Sequence, residues 1–213
     1  MGFISEDQRG DVRDVLAEMD DPVTVRVFTD DDCQYCDETV ELNEELAEIG
    51  DDITLERYDV ADGEAAAAGV DEYGGPATVI TRTGSGDEGV RYFGIPSGQE
   101  FGTYLQDIVA VSTGTTGLDA DVAEAVADLD GPVDIKVFVT PTCPHCPGAV
   151  RVAHDFAILN DDVEASMIES QEFMELSREY GVRGVPHVVV NDEVEFKGAQ
   201  PPEAFLEQVQ QAL

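Results

Sequence analysis

The chain repeats itself. Asp14-Val15-Leu16-Ala17-Glu18-Met19-Asp20-Asp21-Pro22-Val23 returns as Glu124-Ala125-Val126-Ala127-Asp128-Leu129-Asp130-Gly131-Pro132-Val133, 110 positions later. The same offset carries Cys33 onto Cys143, Cys36 onto Cys146 and Pro76 onto Pro186. Landmarks of such different kinds sharing one offset mark a duplication, so whatever the first half folds into must be folded twice. Past the prolines the offset falls to 104, pairing Gly94 with Gly198 and Phe101 with Phe205. The lost residues fall in Thr83-Gly84-Ser85-Gly86-Asp87-Glu88-Gly89, predicted as a longer hairpin loop in the first half. Ser112-Thr113-Gly114-Thr115-Thr116-Gly117 is small, polar and glycine-containing, as linkers are. The chain therefore divides into residues 1–115 and 116–213, and so short a join favours two units packed together.

Each copy reads as the same series of elements. A helix is predicted over Glu6 to Met19 in one and Asp119 to Leu129 in the other. Val23-Thr24-Val25-Arg26-Val27-Phe28 and Val133-Asp134-Ile135-Lys136-Val137-Phe138-Val139 follow as strands, rich in residues that suit a buried sheet. Each strand leads through Cys-x-x-Cys into a helix, Glu38 to Ile49 or Ala149 to Leu159. A further strand, a helix ending near Tyr73 or Tyr180, and a hairpin entered through Pro76 or Pro186 come next. A closing helix spans Glu100 to Val109 or Glu203 to Leu213. Strands alternating with helices and ending in a hairpin give an α/β fold, a mixed central sheet flanked by helices on both faces.

Charge narrows the partners. The 213 residues carry a formal net charge of −36, which repels the phosphates of nucleic acid and anionic membrane surfaces alike. With Lys136 and Lys197 the only lysines, this acidity reads as adaptation to a very salty cytosol, where a Debye length of about 3 Å at 1 M screens self-repulsion. No run of about 18 apolar residues is present to span a bilayer. Met1-Gly2-Phe3-Ile4-Ser5-Glu6-Asp7 has neither the basic nor the apolar region of a secretory leader, so the cytoplasm is the expected location.

The chemistry lies in the cysteines. All four fall in Cys33-Gln34-Tyr35-Cys36 and Cys143-Pro144-His145-Cys146. At a strand-to-helix turn this spacing brings two Cα atoms to disulfide distance, about 5.5 Å. The first sulfur then lies at a helix N-terminus, where unpaired N–H groups favour a thiolate, and the second lies further in, suited to resolve a mixed disulfide. The rival is zinc, since two Cys-x-x-Cys knuckles can make one tetrahedral Cys₄ site. Against zinc, the pairs are separated by 106 residues, and each has its own strand-helix context and a proline 43 residues after its first cysteine.

Tyr180-Gly181-Val182-Arg183-Gly184-Val185-Pro186, followed by a valine-rich strand, closely resembles the thioredoxin segment that carries a cis-proline. Tyr73-Gly74-Gly75-Pro76-Ala77-Thr78-Val79 is a looser version. With paired centres in tandem, and with Phe93-Gly94-Ile95-Pro96-Ser97-Gly98-Gln99-Glu100-Phe101 included, nearly the whole chain resembles the archaeal protein disulfide oxidoreductases, also called glutaredoxin-like proteins. The resemblance implies two tandem thioredoxin-like folds and cis bonds at Pro76 and Pro186, set against the sulfurs. Gly75 and Val185 would then offer backbone N–H and C=O groups to an extended substrate. One departure concerns the buried acid that thioredoxins carry six residues before the first cysteine. Val27 and Val137 stand there, which leaves the base for the resolving cysteine unassigned.

The two centres are expected to be unequal. Asp30-Asp31-Asp32 precede Cys33, and their charge opposes a thiolate there, whereas Thr140-Pro141-Thr142 precede Cys143. His145 is a candidate to favour the Cys143 thiolate, with a solvated helix-start residue as the plain alternative. Tyr35 could cover the disulfide or touch substrate. His154 reads as an exposed helical residue, and His187, directly after Pro186, as a neighbour of the second centre. The expected activity is thiol–disulfide exchange with protein substrates, without a tightly bound cofactor or metal, drawing electrons from a thioredoxin-reductase-like flavoenzyme. Three rivals stay open: a glutaredoxin-type enzyme acting on small thiols, an electron donor to a peroxidase, and a non-catalytic zinc-binding protein.

Overall fold

A computed structural model describes residues 2–31, 33–85 and 89–213. The first half runs α1 (Glu6–Leu16), β1 (Val23–Thr29), α2 (Cys36–Ile49), β2 (Ile53–Asp59), α3 (Gly63–Ala67), β3 (Ala77–Arg82), β4 (Val90–Phe93) and α4 (Glu100–Thr113). The second repeats it as α5 (Ala120–Ala127), β5 (Val133–Val139), α6 (Cys146–Leu159), β6 (Val163–Glu169), α7 (Met174–Glu179), β7 (His187–Val190), β8 (Val194–Lys197) and α8 (Pro202–Gln211). Within each half the first strand pairs parallel with the second and antiparallel with the third, which turns back into the fourth. Both halves are thioredoxin-like folds.

Strand alternation sorts the side chains into two cores. Val23, Val25 and Val27 of β1 and Val133, Ile135, Val137 and Val139 of β5 face the larger one, beneath α1, α2, α4, α5, α6 and α8. Phe28 and Phe138 point the other way, into a smaller core closed by the short helices α3 and α7. Tyr73, Phe173, Leu176 and Tyr180 pack against that smaller core.

The halves share one eight-stranded sheet, ordered β2-β1-β3-β4-β6-β5-β7-β8. At its centre β4 pairs parallel with β6, Val90 opposite Ala165 and Phe93 opposite Ile168. Every residue of β4 is consequently buried, while its counterpart β8, an outer edge, exposes Glu195 and Lys197. The same contrast separates β6, nearly all buried, from the outer strand β2. Arg91 of β4 is buried at the join, donating to the Ala68 carbonyl at 2.8 Å and lying 3.3 Å from Glu164 on β6.

Several boundaries differ from the sequence-based expectation. Helices α2 and α6 begin at the second cysteine of each motif, ahead of Glu38 and Ala149. Helix α3 stops at Ala67, well before Tyr73, leaving the following residues free to bend toward Pro76. Helix α4 continues through Ser112 and Thr113, which by composition read as linker. Ser112 is buried because its hydroxyl accepts from the N–H groups of Asp20 and Asp21, at 3.0 and 2.9 Å, and donates to the Asp21 carbonyl. That contact ties the last turn of α4 to the α1–β1 loop. Of the predicted hairpin loop, Gly86, Asp87 and Glu88 lie outside the described residues. Among the described residues no helix is long and apolar enough to cross a membrane.

Candidate redox centres

In each half, the strand that divides the two cores ends at a short turn, and the turn delivers a cysteine pair to the start of a helix. Cys36 and Cys146 are the first residues of α2 and α6, with Tyr35 and His145 at the N-cap positions. Cys33–Cys36 and Cys143–Cys146 are disulfide-bonded, each with Cα atoms 5.5 Å apart. The four sulfurs therefore close as two separate pairs and do not gather into one tetrahedral site. Cys36 and Cys146 are buried, and Cys33 is half-buried. The first turn of α2 carries Asp37 and Glu38, whereas that of α6 holds no acid and has Pro147 directly after Cys146. Carboxylates suit a helix N-terminus, but beside a cysteine they oppose its thiolate, so this difference adds to that of the preceding turns. Asp31 there is exposed, and Asp32 lies outside the described residues.

The proline loops carry the neighbouring backbone. Gly75–Pro76 and Val185–Pro186 are both cis. A Cβ on Gly75 would come within 3.1 Å of Cys36 Sγ and of the Phe28 carbonyl oxygen, so this loop lies directly on the first disulfide. The Gly75 N–H donates to Asp30 Oδ2 at 2.8 Å. At the second centre the corresponding residue, Val185, is half-buried and packs against both cores.

Each half also reaches into the surroundings of the other. Gln99, just before α4, donates its N–H to the Pro141 carbonyl at 2.9 Å, two residues ahead of Cys143. Gln34 and Tyr35 of the first centre share a cleft of about 340 Å³ with Ile95, Pro141, Glu169 and Glu172. Glu172 also lines a larger cleft of about 520 Å³ that includes Tyr73, Gly75, Phe173, Met174 and Tyr180. Burial pushes the Glu172 carboxyl up to about 7, against the pull of the Ile95 N–H, which donates to it at 3.0 Å, and with Glu169 and Glu38 adding repulsion. Glu169, which accepts from the N–H groups of Gln171 and Glu172, is likewise raised by burial. Glu172, an acid that can exchange a proton near neutrality, thus borders the first centre from the opposite half, while Val27 and Val137 remain apolar and buried.

The remaining candidates fall in varied places. His145 is exposed, and Tyr35 is half-buried against the larger core. His154 is not exposed, contrary to the sequence reading. It is fully buried between α6 and α4, 2.6 Å from Asp107. His187 lies on the sheet face opposite the cysteines. It pairs with Phe138 and shares that residue's side of the sheet, while Val188 and Val190 point to the core holding Cys143 and Cys146. Burial lowers its pKa, opposed by Glu195 at 3.3 Å. Asp30, Asp107 and Glu172 do not stand out in the sequence as site residues. The one signal for Asp30 is its place in the acidic run before Cys33.

The chain is similar to known proteins in sequence and in fold. The family model described as Thioredoxin domain matches residues 133–211. A thioredoxin of Methanocaldococcus jannaschii is 42% identical over 82 residues, 38% of this chain and 96% of that protein. The crystal structure of a protein disulfide oxidoreductase from Aeropyrum pernix K1 superposes with a TM-score of 0.87 at 31% identity, covering 98% of this chain and 93% of that one. An alkyl hydroperoxide reductase component of Pseudomonas aeruginosa is 27% identical over 179 residues, 84% of this chain. The chain spans about a third of that relative's length, 32%.

Proposed function

The chain belongs to the tandem thioredoxin-fold protein disulfide oxidoreductases, and from that premise we propose that it exchanges disulfides with protein substrates through two centres of different strength. The observation that carries the reading is a closed Cys-x-x-Cys at the first turn of a helix in each half. In the reducing direction the thiolate of Cys143, or of Cys33, attacks a substrate disulfide. A mixed disulfide forms and one substrate thiolate leaves. The thiolate of Cys146, or of Cys36, then attacks the mixed disulfide, releases the second substrate thiol and closes the pair. Two electrons and two protons pass to the substrate in all, and oxidation runs the steps backward.

Pro76 and Pro186, with Gly75 and Val185, form the edges on which substrate would lie, and Tyr35 and His145 modulate the centres they separate. We place the division between the working units near residue 115, the protein in the cytoplasm, and a thioredoxin-reductase-like flavoenzyme as its electron source. Insulin reduction tests the reading. Activity should vanish when Cys33→Ser and Cys143→Ser are combined, and each single variant reads the share carried by the other centre. Full activity in the double variant would overturn it. The likeness to a component of an alkyl hydroperoxide reductase supports a second reading, in which the chain passes electrons to a hydroperoxide-reducing partner. Peroxide turnover with candidate peroxidases separates the two.

A further inference from the structure

The centres differ most at a main-chain group beside the sulfurs. The Gly75 N–H is held by Asp30 Oδ2 at 2.8 Å. Gly74 makes this possible, since its φ of 81° turns the next N–H toward the carboxylate, and a Cβ on Gly74 would lie 3.2 Å from the same oxygen. Gly75 itself carries no Cβ, which at that point would stand 3.1 Å from Cys36 Sγ. The bonded N–H therefore belongs to the backbone that lies on the first disulfide.

The second centre is built otherwise. The 110-residue offset puts Thr140 in place of Asp30, Gly184 in place of Gly74 and Val185 in place of Gly75. Gly184 has no positive φ, Thr140 offers no carboxylate, and among the described residues the Val185 N–H makes no hydrogen bond. A polypeptide disulfide that settles across a sulfur pair in extended form gains by pairing its own carbonyls with such an N–H. At Val185 the N–H is available to it. At Gly75 an incoming neutral carbonyl must displace a carboxylate, the stronger acceptor.

Resting on the oxidoreductase reading above, we propose that Asp30 sets the substrate class of the first centre. It closes the peptide-docking edge over Cys33–Cys36, so that this centre exchanges with low-molecular-weight disulfides, which need no main-chain pairing. Extended polypeptide disulfides dock at Cys143–Cys146. Access to sulfur does not explain such a division, because Cys143 is only 7% exposed while Cys33 is more open. Asp30 is a positioning residue here, acting through the Gly75 N–H.

The test uses the full chain carrying Cys143→Ser and Cys146→Ser, at molar salt. Its rates of exchange with insulin and with 2-hydroxyethyl disulfide are compared. Asp30→Ala should raise the insulin-to-small-disulfide ratio about three- to ten-fold, the worth of one freed main-chain hydrogen bond. Asp30→Asn retains an oxygen that accepts from Gly75. It should speed both reactions by removing charge near Cys33, while leaving the ratio within about two-fold of its starting value. Asp30→Thr, which copies the second half, repeats the alanine test should that variant fold poorly. A ratio unmoved by both Ala and Thr, or raised as much by Asn, overturns the proposal. A chain with both centres intact that reduces neither probe, though its two disulfides open with dithiothreitol, defeats the oxidoreductase reading instead.

Discussion

His154 Nδ1 on α6 lies 2.6 Å from Asp107 Oδ2 on α4, with both side chains fully buried where the two halves meet. The Tyr92 hydroxyl donates to the same carboxylate oxygen, and Arg151 reaches the other at 3.1 Å. Arg151 also pairs with Asp155 at 3.0 Å. Burial, reinforced by Asp107, raises the Tyr92 pKa and keeps its proton in place. One carboxylate from the first half thus satisfies its own Tyr92 together with two side chains of the second.

Asp107→Ala should therefore be among the costliest single changes away from the sulfurs. It strands the buried Tyr92 hydroxyl and His154 ring, while the half-buried Arg151 keeps Asp155, and the expected loss is about 3–5 kcal/mol of unfolding free energy. Urea unfolding at molar salt measures it. A loss below about 1 kcal/mol would show that the cluster adds little to stability.

Stability should fall as pH rises toward neutrality. Burial raises Glu100 and Glu172 to about 7 and Asp155 to about 6, with Thr103, the Ile95 N–H and Arg151 respectively pulling back. In the unfolded chain these acids ionise near pH 4, so between the two ranges the folded protein binds more protons. Their contribution is therefore fully present below the unfolded values and is lost as pH climbs through 6 to 7. Glu100→Gln should reduce the stability difference between pH 5 and pH 8 by roughly 1–3 kcal/mol. An unchanged difference in thermal or urea unfolding would contradict this.

Alkylation of the reduced protein across a pH series should label Cys143 at lower pH than Cys33. Acids crowd the first centre on both sides, with Asp31 ahead of it and Asp37 and Glu38 behind it, while the first turn of α6 holds none. Mass mapping of the labelled peptides reads the order directly. Cys33 reacting first would reverse the predicted ranking of the centres.

Gly98→Ala should impair the second centre although it lies in the first half. A Cβ at Gly98 would stand 2.3 Å from the Pro141 carbonyl oxygen, and the residue's φ is 62°. The substitution forces the turn before α4 away from Pro141 and breaks the Gln99–Pro141 hydrogen bond that steadies the approach to Cys143. In chains keeping one centre each, 2-hydroxyethyl disulfide reduction should fall about ten-fold for Cys143–Cys146 and less than two-fold for Cys33–Cys36, the loss matching about 1.4 kcal/mol of positioning. Equal losses at both would point to general destabilisation.

The repeat, the cysteine spacing and the strand patterns made the thioredoxin-like halves legible, because those features are local or recur at one offset. What stayed hidden came from contacts between the halves. His154 follows Ala153 and precedes Asp155 on α6, and nothing local reveals that α4 covers that side of the helix. Ser112 resembles linker because the partners that bury it, Asp20 and Asp21, lie some 90 residues away. A usable signal did exist for the join. Val90-Arg91-Tyr92-Phe93 has Phe93 where Val194-Glu195-Phe196-Lys197 has a lysine and keeps Arg91 as its one charge, a more apolar pattern that suits an inner strand against an outer one. Asp30 was legible as charge and illegible as a hydrogen-bond acceptor, since only the folded loop brings Gly75 to it.

The parallel pairing of β4 with β6 makes scission between the halves hazardous. A fragment starting near residue 116 would bare the backbone of β6 from Ala165 to Ile168, which β4 otherwise pairs, flanked by apolar surface. Such a border recruits whatever strand it meets. Sedimentation of that fragment should accordingly find it self-associated rather than behaving as a small free-standing thioredoxin.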